Sequence, residues 1–489
     1  MRSDPVPATP SLPSRRARAL ALAVVSTGTL MTVLDGSIVT VALPAIRDDL
    51  GFSPADLSWA VNAYLIPFGA LLLLAGRLGD LIGRTRVFLA GIALFTVASG
   101  LAGLAGSPAV LLTARFLQGV GSALAAAVSL GILVSLFPGQ SERRRAIAVY
   151  SFTGAAGASI GQVAGGLLTD AFGWHWTFLI NLPIGIAALL IGRAVLPAAK
   201  GIGMAAGIDA PGALFVTGGL MLSIYAVVGA DDRGWTSAQT LGWGALAAVL
   251  LVAFFVRQSR AATPLLPLRL LRSRAVAGAN VVQLLTVAAT FAFQVILALH
   301  LQNVLGYDAT GTGIAMLPAA IMIGLVSLGV SARLTARFGE RTVLLGGLLL
   351  LAGVVGLLIR VPADASYVRD VLPSLLLAGG FGLVLPTLAA LGMSGARPDD
   401  AGIVSGLFAT AQQVGSALGV AVVSTLAAAR TDELLASGHD RADALAGGNH
   451  LAFGIATGLV VAAITVAYVT LRRPARVAAL PEREHVTAA

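Results

Sequence analysis

A chain of 489 residues that is 57% hydrophobic and only 11% charged, with a mean hydropathy of +0.89, is excluded from the class of soluble globular domains. Its net charge of +9 does not mark a nucleic-acid surface, because the basic residues are spread through short loops between apolar runs, where they act as a signal of membrane orientation. The absence of cysteine rules out disulfides, thiolate metal sites and cysteine nucleophiles together.

A bilayer core about 30 Å thick takes roughly 20 apolar residues per helix. Fourteen such runs are expected, at 19–43, 57–76, 87–105, 108–136, 146–168, 176–196, 210–230, 238–256, 275–299, 312–331, 342–360, 371–393, 402–429 and 451–471. Arg15, Arg16 and Arg18 precede the first run, which is too long for a cleaved leader and carries an acidic residue, so it reads as a retained helix. An even number of spans puts both termini on one face. The loops on that face hold most of the 32 lysines and arginines, among them Arg77, Arg84, Arg86, Arg143 to Arg145, Arg269, Arg272 and Arg274, so both termini are expected to be cytoplasmic.

Within the first span stands Asp35, and within the fourth Arg115. A charge at bilayer depth costs about 2.5–3.5 kcal/mol on insertion scales, so it is kept for an ion pathway or a specific partner. A carboxylate in a partly dry cavity has its charged form disfavoured, which suits it to loading and releasing protons. A fixed structural hydrogen bond is the alternative reading of Asp35, and bonding to carbonyls of a neighbouring helix that of Arg115. Arginine does not deprotonate readily, so any part it takes in proton movement is indirect, through a held water or carboxylate.

Arg77, Leu78, Gly83 and Val87 after the second span recur as Arg333, Leu334, Gly339 and Val343 after the tenth, every member displaced by 256 residues. Repeats of this kind mark transporters built from two related bundles with a site at their interface. The offset is larger than two adjacent six-helix units need, so spans seven and eight, flanking Asp231, Asp232 and Arg233, are expected to be an insertion. The expected parts are a tail at 1–18, a six-helix bundle at 19–200, two linking helices at 201–260, a second bundle at 261–471 and a tail at 472–489.

Gly76, Arg77, Leu78, Gly79, Asp80, Gly83, Arg84 and Arg86 resemble the loop signature between helices two and three of the major facilitator superfamily. Leu34 to Pro44, with Ser37 and Thr40 in place of the commoner Thr and Asn, resembles the first-helix signature of the fourteen-helix drug/proton antiporters within it. Leu111, Arg115, Gln118, Gly119 and Gly121 are similar to the fourth-helix signature, in which the arginine is implicated in proton transfer. Gly157, Gly161, Gly165 and Gly166 resemble the glycine-lined antiport motif, with Gln162 where proline is usual. Trp174, Trp176, Phe178, Asn181, Pro183, Ile184 and Gly185 are similar to the passage into the sixth helix, with His175 replacing arginine. Ala401, Gly402, Ser405, Gly406, Gln412, Gln413, Gly415 and Gly419 resemble the thirteenth helix.

The resemblance runs from about Leu20 to Tyr468. It implies an all-α membrane protein of fourteen helices that alternates access by rocking two bundles, driven by a proton gradient without a cofactor or a metal. It implies proton coupling through Asp35 and Arg115, and a conformational latch from Gly76, Arg77, Asp80, Gly83, Arg84 and Arg86. It implies helix packing through Gly157, Gly161, Gly165 and Gly166. Gln162, Asn181, Gln412 and Gln413 are candidates for the substrate cavity. With no acidic residue other than Asp35 deep in a span, neutral or monocationic lipophilic substrates are expected, moved out of the cell across the cytoplasmic membrane of a bacterium by a monomer.

An exporter of one endogenous metabolite or self-made antibiotic is the alternative. A membrane-embedded enzyme is disfavoured. Gly157-Ala158-Ser159-Ile160-Gly161 matches G-x-S-x-G formally but lies mid-helix, and the five histidines are expected in loops or the tail. No soluble module large enough for a receptor interrupts the spans.

Overall fold

The computed structural model describes residues 14–52, 59–197, 201–203, 209–234, 236–261, 263–307, 309–362, 365–394 and 400–471. Helix α1 (Arg15–Leu50) is followed by α2 (Trp59–Ile82), α3 (Arg84–Gly103), α4 (Pro108–Leu136) and α5 (Gln140–Phe172). Short α6 (His175–Leu179) runs into α7 (Asn181–Val195), and α8 (Ala210–Val228), α9 (Ala230–Arg233) and α10 (Ala238–Arg260) follow. The second half comprises α11 (Leu268–Arg272), α12 (Arg274–Asn303), α13 (Ala309–Leu325), α14 (Ala332–Phe338), α15 (Glu340–Leu357), α16 (Leu372–Leu377), α17 (Gly379–Ser394), α18 (Ala401–Ala436) and α19 (Arg441–Thr470).

Thirteen helical columns among the described residues are long and apolar enough to cross a bilayer, and α5, 33 residues long, makes the fourteenth. Several run beyond their expected ends. α1 continues through Pro44 to Leu50, where Gly51, at φ 72, turns its N–H back to Arg47 O at 2.9 Å. α12 runs on to Asn303 and so carries His300 inside the protein. The expectation that every histidine lies in a loop or the tail is therefore corrected: His175 is in α6, His300 in α12 and His450 in α19. The tenth column is interrupted by a π-helical turn at Val326–Ser331, and the twelfth begins with another at Tyr367–Val371.

Helices α1 to α7 pack chiefly on one another, as do α12 to α19, while α8 and α10 form a pair. This is the expected arrangement of six, two and six. Val24, Phe88 and Leu133 lie in one core, and Val276, Leu344 and Phe453 in another. The bundles meet along two seams, α2 and α4 against α18 and α5 against α13 and α17, and α8 lies against both α2 and α18. Asp209 anchors the linking pair: it accepts from Gly212 N at 3.1 Å, Arg257 Nε at 3.0 Å and Gln258 Nε2 at 2.8 Å, and Gln258 Oε1 accepts from Leu266 N at 3.0 Å.

The repeat survives in backbone geometry. Gly83, at φ 105, alone separates α2 from α3, and Gly339, at φ 82, alone separates α14 from α15. Only glycine adopts such a conformation without strain, which is why both turns use it.

Candidate functional site

Four helices of the first bundle bring their polar groups to one point. Asp35 on α1, Arg115 and Gln118 on α4, Ser99 on α3 and Asn181 at the start of α7 are all wholly buried. Arg115 Nη1 donates to Asp35 Oδ2 and, at 3.0 Å, to Gln118 Oε1, while Arg115 Nε donates to Ala60 O at 2.8 Å. The other carboxylate oxygen accepts from Gln118 Nε2 at 2.9 Å and Asn181 Nδ2 at 3.3 Å, and Gln118 Nε2 also reaches Ser99 Oγ at 2.7 Å. The guanidinium lies over the Tyr64 ring, 4.4 Å from its centroid, and the Tyr64 hydroxyl donates to Thr32 O at 2.9 Å.

The arrangement is electrically closed. Arg115 balances Asp35, and Gln118 holds both partners, so a proton arriving on Asp35 removes the charge that compensates the guanidinium. A buried charge stripped of its partner costs about 3–5 kcal/mol, so the packing of α1 against α4 depends on whether Asp35 is ionised.

The glycine stripe of α5 lies against this same part of α1. A Cβ at Gly161 would sit 2.8 Å from Leu34 O, and one at Gly165 would sit 2.8 Å from Ile38 O, so only glycine lets the two backbones approach this closely on either side of Asp35. Gly157 faces Val33 and Gly166 is in ordinary contact with Val41. The side chain of Gln162 lies outside the described residues.

The loop residues expected to form a latch meet the second bundle. Asp80 Oδ1 accepts from Arg84 Nη2 at 2.8 Å, Arg84 Nε at 3.0 Å and Gly402 N at 2.9 Å, while Oδ2 accepts from Ile403 N at 3.0 Å. The carboxylate thus sits on the N-terminus of α18, where backbone donors and the helix dipole favour negative charge. Gly76 faces Gly402 in the same seam, and a Cβ there would lie 2.6 Å from Gly402 O. Arg86 donates weakly to Ile82 O at 3.5 Å rather than to Asp80, and the side chain of half-buried Arg77 makes no hydrogen bond or ion pair among the described residues. The repeat places Ala336 where the first half has Asp80, so the second half has no carboxylate at that position.

Of the candidate cavity residues, Gln412 and Gln413 are half-buried on α18, with Gln413 near Gly69 in the α2–α18 seam. Asn181 belongs to the Asp35 cluster, where it is wholly buried. Sequence reasoning did not single out Ser99 and Tyr64, which converge on Arg115 and Gln118 from α3 and α2. Gln118, quoted only as part of a motif, could have been found from its spacing of three residues after Arg115 on a helix face.

Two helical bundles that meet at a glycine seam, joined by a linking helix pair and holding a buried ion pair, define a membrane transporter. Residues 25–420 match the Major Facilitator Superfamily, and the chain belongs to that family. It is 36% identical to the puromycin resistance protein pur8 of Streptomyces alboniger over 92% of this chain and 90% of that one. It is 38% identical to the cephamycin export protein CmcT of Amycolatopsis lactamdurans, covering 84% of this chain and 85% of that one. Among solved structures, the fold is shared with the human organic anion transporter MFSD10 (TETRAN), with a TM-score of 0.66 at 17% identity over 92% of this chain and 99% of that one. The protein is a multi-pass membrane transporter.

Proposed function

We propose that this protein is a proton-coupled exporter of neutral or monocationic lipophilic small molecules, of the fourteen-helix drug/proton antiporter kind. The observation that carries the reading is the wholly buried Asp35–Arg115 pair beside the α1–α5 glycine contact. In this arrangement the cytoplasmic seam is closed by Asp80 on α18. A proton reaching Asp35 from outside releases Arg115 from its counter-charge and loosens α1 from α4. The glycine face of α5 then lets α1 shift without a steric barrier, and return of the proton to the cytoplasm restores the pair. Proton and substrate act on one two-state element in turn, which is the requirement for coupling.

Several relatives are named for a single antibiotic, including puromycin, cephamycin and tetracenomycin, which favours a second reading: a narrow exporter of one antibiotic. It shares the coupling machinery and differs only in the breadth of the cavity.

The experiment is efflux of a fluorescent lipophilic monocation, and of puromycin, from proteoliposomes with an imposed pH gradient, comparing the native chain with Asp35→Asn. Gradient-driven export lost in the variant is expected. Full gradient-driven export by Asp35→Asn would sink the coupling role of Asp35.

A further inference from the structure

We propose that His300, inside the second bundle, is a second proton-binding site, which reads the acidity of the outer face and loosens the α12–α19 contact when it is occupied. The inference rests on the export reading above but uses residues that the Asp35 cluster does not touch. His300 lies one turn before the outer end of α12 and is 1% exposed. Its Nδ1 is 3.1 Å from Nδ2 of Asn449, itself buried on α19. With the amide donating, Nδ1 is the bare nitrogen and Nε2 carries the ring proton, yet Nε2 has no hydrogen-bond partner among the described residues. The neighbouring His450 donates from Nε2 to Val361 O at 2.6 Å, tying α19 to the end of the α15 column.

A purely structural imidazole uses both nitrogens, because a buried donor without an acceptor costs about 1–3 kcal/mol. Here one nitrogen is satisfied only while the ring is neutral. If Nδ1 takes a proton from the outer water, two N–H groups face each other. The Asn449 amide must then rotate to offer its oxygen, which has consequences for the α12–α19 packing. The ring and the amide are therefore a two-position rotor set by one proton.

Among the described residues of the neighbouring elements no anion stands ready to hold the cation, and Arg360, beside Val361 at the end of the α15 column, is exposed. On α18, Arg430 and Glu433 pair with each other and Asp432 is exposed; on α19, Arg441 and Asp443 are exposed. Arg269 and Arg272 of α11 and Tyr468 of α19 lie at the opposite end, and α13 and α17 carry no charged residue. His300 lies near the outer end of α12, the side from which a proton-driven exporter draws its energy.

The test holds the pH difference across proteoliposomes at one unit and lowers the external pH from about 7.5 to about 4, a window that runs from above the ordinary histidine value to well below it. The native chain is expected to export about five-fold faster at the acid end, the low end of coupling between two sites. His300→Gln should be flat across the range, and Asn449→Asp, which supplies an anion to the ring, should move the step toward alkaline pH. A step of unchanged size and midpoint in His300→Gln overturns the proposal. Should that variant fail to fold, an unmoved midpoint in Asn449→Asp overturns it equally. Asp35→Asn in the same assay separates the two readings: loss of export at every pH leaves the coupling reading intact whatever His300 does, whereas retained export removes that reading while the external step remains visible.

Discussion

Replacing Gly402 by alanine should open the cytoplasmic face. A Cβ at Gly402 would lie 2.6 Å from Gly76 O and press on the Asp80 carboxylate. Ordinary contact begins at about 3.5 Å, so α2 and α18 must separate by about 1 Å. The two bonds that Asp80 accepts from Gly402 N and Ile403 N, now 2.9 and 3.0 Å, would then exceed hydrogen-bonding distance. Each is worth about 1.5–3 kcal/mol as a bond to a charged group. After partial replacement by water, a net shift of roughly 2–4 kcal/mol, about 30-fold to 1,000-fold in the ratio of closed to open states, is expected.

The chain has no cysteine, so a single Ala409→Cys, placed in the same seam and partly buried against Leu72 and Ala123, reports on this directly. In inside-out vesicles, a membrane-impermeant maleimide should label the Gly402→Ala background much faster than the native one, and export should fall. If Gly402→Ala folds, labels at the native rate and exports normally, the seam is not the closing surface and the reasoning from the glycine contact is wrong.

Two further outcomes follow from the ion pairs. Burial pushes the Asp209 carboxyl up, but the Gly212 N–H together with Arg257 and Gln258 outweighs it and holds the group below the ordinary carboxylate range. A group with a depressed folded value contributes stability that is complete above about pH 4 and is lost as pH falls through the lower folded value. Asp209→Asn should therefore lower the thermal midpoint in detergent at pH 7, with the difference from the native chain narrowing in acid; a difference that persists at the lowest pH refutes an ionic clamp. Arg115→Lys keeps the charge but cannot hold Ala60 O, Gln118 and Asp35 together, and should cost about 2–4 kcal/mol. Thermal unfolding checks this, and a variant as stable as the native chain would show that the fork of Arg115 is dispensable.

The helical columns, the repeat and the burial of charge at Asp35 and Arg115 were legible in the residues themselves. A bilayer imposes local demands: enough apolar residues in a row, basic residues on one side, and almost no charge between. Each demand is met or broken within about 25 residues, so a reader of the chain can see it. The one-residue turns at Gly83 and Gly339 belong to the same class, since a positive φ is a local need.

What the tertiary structure alone decided is which helix faces meet. Asp80 and Gly402 are 322 positions apart, and nothing local says that the carboxylate ends on the first N–H groups of α18. Likewise nothing local says that the break between α6 and α7 sets Asn181 on Asp35, 146 positions away. Tyr64 and Ser99 carry no spacing signal toward Arg115, and His300 looks like a loop residue until α12 runs past its expected end. Hydropathy sets the length and direction of each helix, but helix rotation and crossing are fixed only when small residues such as Gly161 and Gly402 let particular backbones touch, and that depends on the partner as much as on the helix itself.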